Sequence, residues 1–276
     1  MSEPTLFPEG GFLRLKIKLA YDGTNFSGWA KQPDRRTVQE EFEKAFATII
    51  RQQCDSIVAG RTDAGVHATA QIIHIDVPEN TDLSDLSYRL NQLLDTDVRV
   101  LELEVAPEGF HARFSALRRH YQYQIVDANK AINPLDRYDR ASWYRPLDLA
   151  RLNEASSLLL GEHDFAAFCK FREGATTIRT LETFKWERKA DGLLVAQVVA
   201  DAFCYSMVRN LVGSAVCVAE GRFEPSWIAE MLANRARISE SMVFPAEGLT
   251  LVQVDYPDDA ELITRAALTI SRRSEE

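Results

Sequence analysis

The stretch Phe12-Leu13-Arg14-Leu15-Lys16-Ile17-Lys18-Leu19-Ala20-Tyr21 alternates residue by residue. Leu13, Leu15, Ile17, Leu19 and Tyr21 fall on one face, and Arg14, Lys16 and Lys18 on the other. A period of two is the signature of a half-buried strand. Asp22-Gly23-Thr24-Asn25 then reads as a turn. Thr37 followed by Glu40 has the form of a capping box. Behind it Val38, Phe42, Ala45, Phe46, Ile49 and Ile50 recur at helical spacing, which predicts an amphipathic helix.

The same mixture runs through the rest of the chain. Residues 56–60 read as a short strand, 71–77 as an alternating strand and 98–105 as a further one. Leu83, Leu86, Leu90 and Leu93 mark a second helix. Farther on, residues 121–125 alternate, 151–160 look helical, and 184–203 form a hairpin turning at Asp191-Gly192. An apolar helix is predicted over 207–219, another begins at 226, a closing strand spans 249–256, and the charged tail from Pro257 reads as a frayed helix. Frequent hairpins without a glycine-rich phosphate loop favour an α+β fold with largely antiparallel sheet over a doubly wound parallel one. Pro107-Glu108-Gly109 suggests a boundary near residues 106–120, giving an N-terminal half (1–112) and a C-terminal half (113–276).

Composition narrows the class. The 276 residues are 46% hydrophobic and 26% charged, which excludes a disordered or collagen-like chain. That length suits one large domain or two modest ones. No apolar run approaches about 18 residues, so no membrane-spanning helix is expected. Residues 1–11 lack the apolar centre of a secretory signal. Cys54, Cys169, Cys204 and Cys217 are widely spaced and form no CxxC, so neither a zinc site nor a disulfide framework is predicted, and a reducing cytoplasm fits. The net charge of −9 argues against a polyanionic partner. It is unevenly spread: residues 1–110 carry 11 basic and 18 acidic side chains, residues 111–225 carry 16 and 14, and residues 226–276 carry 5 and 9. A local basic groove on an acidic protein is therefore allowed, as are arginines on solvated faces.

The five histidines show no HExxH, and there is no GxSxG or P-loop. One segment concentrates the remaining chemistry: Gly60-Arg61-Thr62-Asp63-Ala64-Gly65-Val66-His67-Ala68. In extended chain Arg61 and Asp63 share a face. A guanidinium beside a carboxylate favours its ionised form, the form that attacks or stabilises an electron-poor anomeric carbon. An ordinary turn aspartate bonding its own backbone fits the same residues.

That segment closely resembles the catalytic motif of the tRNA pseudouridine synthase A family. Five other stretches resemble the family's motifs in the same order. They are Tyr21-Asp22-Gly23 with Gly28-Trp29 and Val38-Gln39; Phe110-His111-Ala112-Arg113-Phe114-Ser115-Ala116 continuing to Arg119-His120-Tyr121-Gln122-Tyr123; Gly161-Glu162-His163-Asp164-Phe165; Met207-Val208-Arg209-Asn210-Leu211-Val212-Gly213; and Glu247-Gly248-Leu249 with Val254-Asp255-Tyr256-Pro257. Six ordered motifs are far more specific than one. The chain departs from the family at Ala30, where Gln is usual, and at Ser241-Met242-Val243-Phe244-Pro245.

The resemblance implies the pseudouridine synthase fold: two similar halves of mainly antiparallel sheet flanked by helices, with a catalytic cleft between them. It implies isomerisation of uridine to pseudouridine in the anticodon stem-loop of tRNA, at positions 38 to 40, with neither cofactor nor metal. It also implies a homodimer in the cytoplasm, and a target base flipped out of its stack. By position, Asp63 matches the catalytic aspartate, Tyr121 the tyrosine that stacks on the uracil, and Arg209 the basic partner of the aspartate. Arg61 matches a phosphate contact that assists flipping, and Leu249 the pocket floor. Arg113, Arg118, Arg119, Lys170 and His67 are candidate RNA contacts. Two other functions share some of these features: a non-catalytic RNA-binding protein of the same fold, which needs neither Asp63 nor Arg209, and a glycoside hydrolase, which needs a second carboxylate that no motif offers.

Overall fold

The computed structural model describes residues 6–172, 176–235 and 242–274. Its elements in chain order are β1 (Phe12–Tyr21), α1 (Val38–Ile50), β2 (Ser56–Val58), β3 (His67–Pro78), α2 (Leu86–Leu93), β4 (Val98–Val105), β5 (Arg118–Val126), β6 (Ala141–Ser142), α3 (Leu149–Ser157), β7 (Gly161–Asp164), β8 (Ile178–Arg188), β9 (Leu194–Ala200), α4 (Met207–Ala219), α5 (Ser226–Asn234), β10 (Leu249–Asp255) and α6 (Leu262–Ser274). The fold is α+β, with mostly antiparallel sheet flanked by helices. The chain divides into two compact units: residues 1–117 with 252–276, and residues 118–251. The expected boundary fell at 112/113; in the structure the C-terminal segment returns to the first unit and the second ends inside β10.

In the first unit β1 pairs antiparallel with β3 and β4, and β2 with β3. The alternation of β1 is realised in its burial: Leu15, Ile17 and Leu19 are fully buried and Tyr21 nearly so. They join Ile73, Ile75 and Val77 of β3 and Val98 and Val100 of β4 in a core that also takes Phe42 and Phe46 of α1 and Leu86 and Leu90 of α2. Ile72, on the opposite face of β3, joins Ala59, Phe110, Ala112 and Leu262 in a second cluster, with Val254 and Tyr256 packed against it.

Two polar devices lock this unit. Glu43 of α1, 3% exposed, accepts from Ser56 N and Ser56 Oγ, both at 2.7 Å, and pairs with Lys31, fixing α1 to the start of β2. Arg14 holds Asp76 through two bonds of 2.7 and 2.8 Å and donates to Phe110 O at 2.9 Å. Thr37 is the N-cap of α1, but its hydroxyl makes no capping bond and is fully buried, so the capping box read from the sequence is not formed.

Beside Arg14, His74 accepts at Nδ1 from Ala112 N (3.0 Å), and its ring lies 4.7 Å from that of His111. Burial, then the charge of Arg14 and His111, hold His74 well below its ordinary value near 6.5. A depressed folded value means that the unfolded chain binds the proton first as pH falls. Stability from neutral His74 is therefore complete above about pH 6.5 and lost below it, at up to about 1.4 kcal/mol per pH unit. Urea unfolding between pH 7.5 and 5 is expected to show this decline, and His74→Asn, whose carboxamide oxygen can accept the same bond, to flatten it. Parallel pH profiles for the two proteins would refute the assignment.

In the second unit β5 pairs antiparallel with β9 and parallel with β6, β9 pairs with β8, and β8 with β7. The predicted hairpin joins β8 to β9, with Gly192 at φ +90°. Buried Tyr123 and Ile125 of β5, Leu194, Ala196 and Val198 of β9, and Leu181, Phe184 and Trp186 of β8 form the core, together with α4, of which all but Arg209 is buried. Trp186 Nε1 donates to Ser156 Oγ of α3 at 3.0 Å. Cys169 and Cys204, widely spaced in the sequence, lie side by side in the fold, with Cα atoms 5.8 Å apart. Their 35-residue separation concealed a contact that only the tertiary fold creates. No helix among the described residues is long and apolar enough to cross a membrane.

Candidate active site

The loop from Ala59 to His67 joins β2 to β3 and is tied to its own unit from several sides. Ala59 N donates to Ile72 O at 2.8 Å. Gln71, fully buried on β3, donates from Nε2 to Gly60 O at 2.8 Å and to Tyr21 Oη at 3.2 Å. The same phenol meets Thr62 Oγ1 at 2.8 Å. Burial pushes Tyr21 up to about 12, against the hydrogen bonds from Thr62 and Gln71, so the phenol stays neutral at physiological pH. Trp29 N donates to Thr62 O at 3.0 Å, Gly65 N to Phe26 O at 3.3 Å, and Val66 N to Asp63 O at 3.2 Å.

Asp63 therefore stands, half-buried, on a backbone anchored on both sides, while Arg61 two residues earlier is exposed. Gly28, at φ +96°, allows this close approach: a Cβ there would lie 2.8 Å from Thr62 O. His67 is 6% exposed. Its Nδ1 accepts from Gly23 N at 3.0 Å, which requires that nitrogen to be unprotonated. The 3.2 Å approach of Asp22 Oδ1 to the same nitrogen is therefore a contact without a shared proton. Proposed as an RNA contact from sequence, His67 sits here as the brace between the turn after β1 and the start of β3.

Tyr21→Phe is expected to separate positioning from folding. It leaves the Thr62 hydroxyl and the Gln71 amide buried with one partner fewer, a cost of about 1–2 kcal/mol. Because the loop carrying Asp63 loses an anchor, kcat is expected to fall about tenfold with KM within twofold. A variant with the stability loss and unchanged kcat would show that the phenol is only structural.

In the second unit Tyr121 lies mid-strand on β5, opposite Val198, 7% exposed, with its ring edge-on to Phe203 at 5.1 Å. Arg209, in the first turn of α4, donates from Nε to Phe244 O at 2.7 Å, and Phe244 N donates to Arg209 O at 3.1 Å. Phe244 is fully buried against Tyr123, whose hydroxyl donates to Pro245 O at 2.6 Å. Burial, and then Glu247, hold the Tyr123 phenol well above its usual value, while Arg209 acts in the opposite sense. Leu249, 5% exposed, opens β10 just after Gly248, whose Cβ would strike Gln124 O and the Tyr123 ring, both at 2.7 Å. Of the unusual stretch 241–245, Ser241 lies outside the described residues; of the rest, Phe244 bonds Arg209 and Pro245 O accepts from Tyr123.

The remaining RNA candidates divide by exposure. Arg113 is exposed, with its guanidinium carbon 5.6 Å from the Phe114 ring centroid. Arg118 is exposed and pairs with Glu182 at 2.5 Å. Lys170 is exposed, with Nζ 5.2 Å above the Tyr205 ring. Arg119 is 7% exposed and donates to Asp201 O at 2.6 Å, so its guanidinium braces the fold rather than facing solvent.

Within the first unit Arg61 and Asp63 stand on one loop and His67 opens the strand that follows it; Tyr121, Arg209 and Leu249 belong to the second unit. Sequence reasoning missed Gln71, Tyr123 and Phe244 as the groups that hold the site residues. Gln71 left a signal, an amide beside the apolar pair Ile72-Ile73 in a strand; the aromatic pair left none beyond ordinary core spacing. Among the described residues no group of three or more His, Cys, Asp or Glu side chains is arranged to hold a metal ion.

The sequence pattern of the family described as tRNA pseudouridine synthase matches residues 18–115 and 155–257. The chain is similar to tRNA pseudouridine synthase A of Frankia casuarinae, 51% identical over 260 residues, covering 94% of this chain and 95% of that one. It is likewise 51% identical over 266 residues to the protein of that name from Streptomyces griseus subsp. griseus, covering 94% and 93%. With that of Cutibacterium acnes it shares 50% over 265 residues, covering 95% of each.

Proposed function

The chain belongs to the tRNA pseudouridine synthase family, an isomerase family acting on tRNA uridine, and from that premise we propose that it converts uridine to pseudouridine at positions 38 to 40 of the anticodon stem-loop. The reaction is an isomerisation. The C1′–N1 bond breaks, the uracil turns, C1′ bonds to C5, the C5 hydrogen leaves as a proton, and N1 takes one up. Nothing is consumed.

Three tasks follow from that chemistry. The base must leave its stack, at a cost of a few kcal/mol. Arg61, exposed at the head of the loop, suits the displaced backbone phosphate, and Tyr121, 7% exposed on β5, is the aromatic proposed to stack on the extruded uracil. As N1 departs, the anomeric carbon becomes electron-poor. A carboxylate held in place captures or stabilises it at little reorganisation cost, and Asp63, on a loop whose backbone is anchored on both sides, is the carboxylate proposed for that task. Arg209, whose Nε is held by Phe244 O, is the cation proposed to serve the reaction from the second unit. Leu249 provides apolar floor. Arg113, Arg118 and Lys170 contact phosphates; with His67 and Arg119 buried, those two act by holding the fold.

The observation that carries this reading is the anchoring of Asp63 between Thr62, tied to Tyr21 and Trp29, and Gly65, tied to Phe26. The test is to incubate the purified chain with unmodified tRNA transcript and map pseudouridine by position. Modification confined to 38 to 40 is expected; modification elsewhere would overturn the assigned region, and none would overturn the activity. The same reading carries a homodimer acting in the cytoplasm. Light scattering of the protein with and without tRNA tests the dimer, and cell fractionation tests the location.

A further inference from the structure

We propose that Phe171 and Tyr205, flanked by Lys170 and Arg172, form a stacking platform for an unpaired nucleobase of the RNA substrate. The residues lie on two short segments of the second unit. One leaves the 3₁₀ turn Ala166–Phe168, where Phe165 and Phe168 are fully buried and Cys169 is 5% exposed. Three residues after Phe168 comes Phe171, 88% exposed. The local chain thus commits two phenylalanines to the core and leaves the third in solvent, between two exposed cations, Lys170 and Arg172. The other segment leads into α4 and carries Tyr205, 48% exposed.

The two segments are fastened together. Cys169 lies against Cys204, with Cα atoms 5.8 Å apart, Lys170 N donates to Tyr205 O at 3.0 Å, and Lys170 Nζ sits 5.2 Å above the Tyr205 ring. Met207 N donates to Cys204 O at 3.0 Å, so the second segment is held on the helix that bears Arg209. The aromatics are therefore presented on a braced surface.

The chemistry of the patch selects its occupant. The cores of protein–protein interfaces favour aromatics but are depleted in lysine. Surfaces for single-stranded nucleic acid combine the two, cations tracking phosphates and aromatic faces taking the bases. Residues 165–172 and 202–214 contain Lys170, Arg172 and Arg209, and the acidic residues Asp164, Glu173 and Asp201 fall at their margins, in a chain whose net charge is −9. An unpaired base in an RNA loop meets both requirements; a paired base has no free face.

The inference rests on the proposal that the substrate is a tRNA stem-loop. The test measures binding of the full chain, by fluorescence anisotropy, to an unmodified anticodon stem-loop RNA and to a blunt RNA duplex of equal length. Phe171→Ala and Tyr205→Ala are each expected to weaken stem-loop binding about tenfold, as does Phe171→Leu, which keeps apolar bulk and loses the π-face. Phe171→Trp is expected to bind as the wild type does, and duplex binding to change less than twofold in every variant. Wild-type affinity in Phe171→Leu, an equal loss for stem-loop and duplex, or a change in oligomeric state in Phe171→Ala would each overturn the platform, the last by assigning the patch to a protein interface. Pseudouridine assays on the same RNA keep the two proposals apart. Tight stem-loop binding that depends on Phe171 with no product sinks the catalytic reading alone, and unimpaired binding with normal turnover in the variants sinks the platform alone.

Discussion

Asp63→Asn is expected to reduce pseudouridine formation by about 10⁴-fold or more. The substitution keeps size and shape and replaces one carboxylate oxygen by an amide, which can neither capture an anomeric carbon nor balance its charge. A factor of 10⁴ corresponds to about 5.5 kcal/mol of lost transition-state stabilisation. The backbone bonds that shape the loop here, from Val66 N to Asp63 O and through Thr62 and Gly65 on either side, are left in place by the substitution, so the fold should be retained. Thermal unfolding within about 2 °C of wild type and tRNA affinity within about threefold are expected alongside the loss. Asp63→Glu is expected to fail too, by about 10²-fold, because an added methylene carries the carboxylate past its position. Activity of Asp63→Asn within tenfold of wild type would remove this residue from the chemistry.

Gly23→Ala is expected to be the most damaging small substitution in the first unit. Gly23 directly follows Asp22 at the end of β1, and a Cβ on it would lie 2.1 Å from Val66 O, 2.5 Å from Val66 C and 3.0 Å from Val66 N. The obstacle is backbone, so no rotamer relieves it. Val66 is 2% exposed and its N–H already shapes the turn at Asp63. The neighbouring bond from Gly23 N to His67 Nδ1 stretches with any retreat. Overpacking of this kind costs about 1–3 kcal/mol. Because the strain falls on the residue that closes the Asp63 turn, turnover should drop about 10²-fold even where the protein is fully folded. Gly10→Ala is the control: a Cβ there meets nothing within 4 Å, and both stability and turnover should be unchanged. Equal effects of the two substitutions would contradict the close packing of Gly23 on Val66.

Much of this architecture was legible where a local pattern and its burial coincide. The alternation in β1, the helical spacing in α1 and the Asp191-Gly192 hairpin needed no partner to be read. The strand β3 was read from residue 71 but begins at His67, because His-Ala-Thr-Ala carries little strand signal and is recruited by pairing with β1. The four-residue β7 and two-residue β6 are too short for any period to register. Thr37 had the right neighbours for a capping box, yet burial turned its hydroxyl away from the role. Site residues divide in the same way. Asp63 and Arg61 stood out because a loop between strands concentrated charge and turn formers. Arg119 and His67 looked like surface groups because nothing local reveals that Asp201 O and Gly23 N would claim them. The order of the six motifs, rather than the physics of any one, named the reaction.

The most direct measurement uses tRNA carrying tritium at C5 of its uridines. Formation of the C1′–C5 bond expels that hydrogen, so wild-type protein should release one tritium to water for each pseudouridine formed, and Asp63→Asn should release none while still binding the RNA. Tritium release by Asp63→Asn at the wild-type rate, or binding by the wild type with neither release nor pseudouridine, would contradict a carboxylate-driven isomerisation.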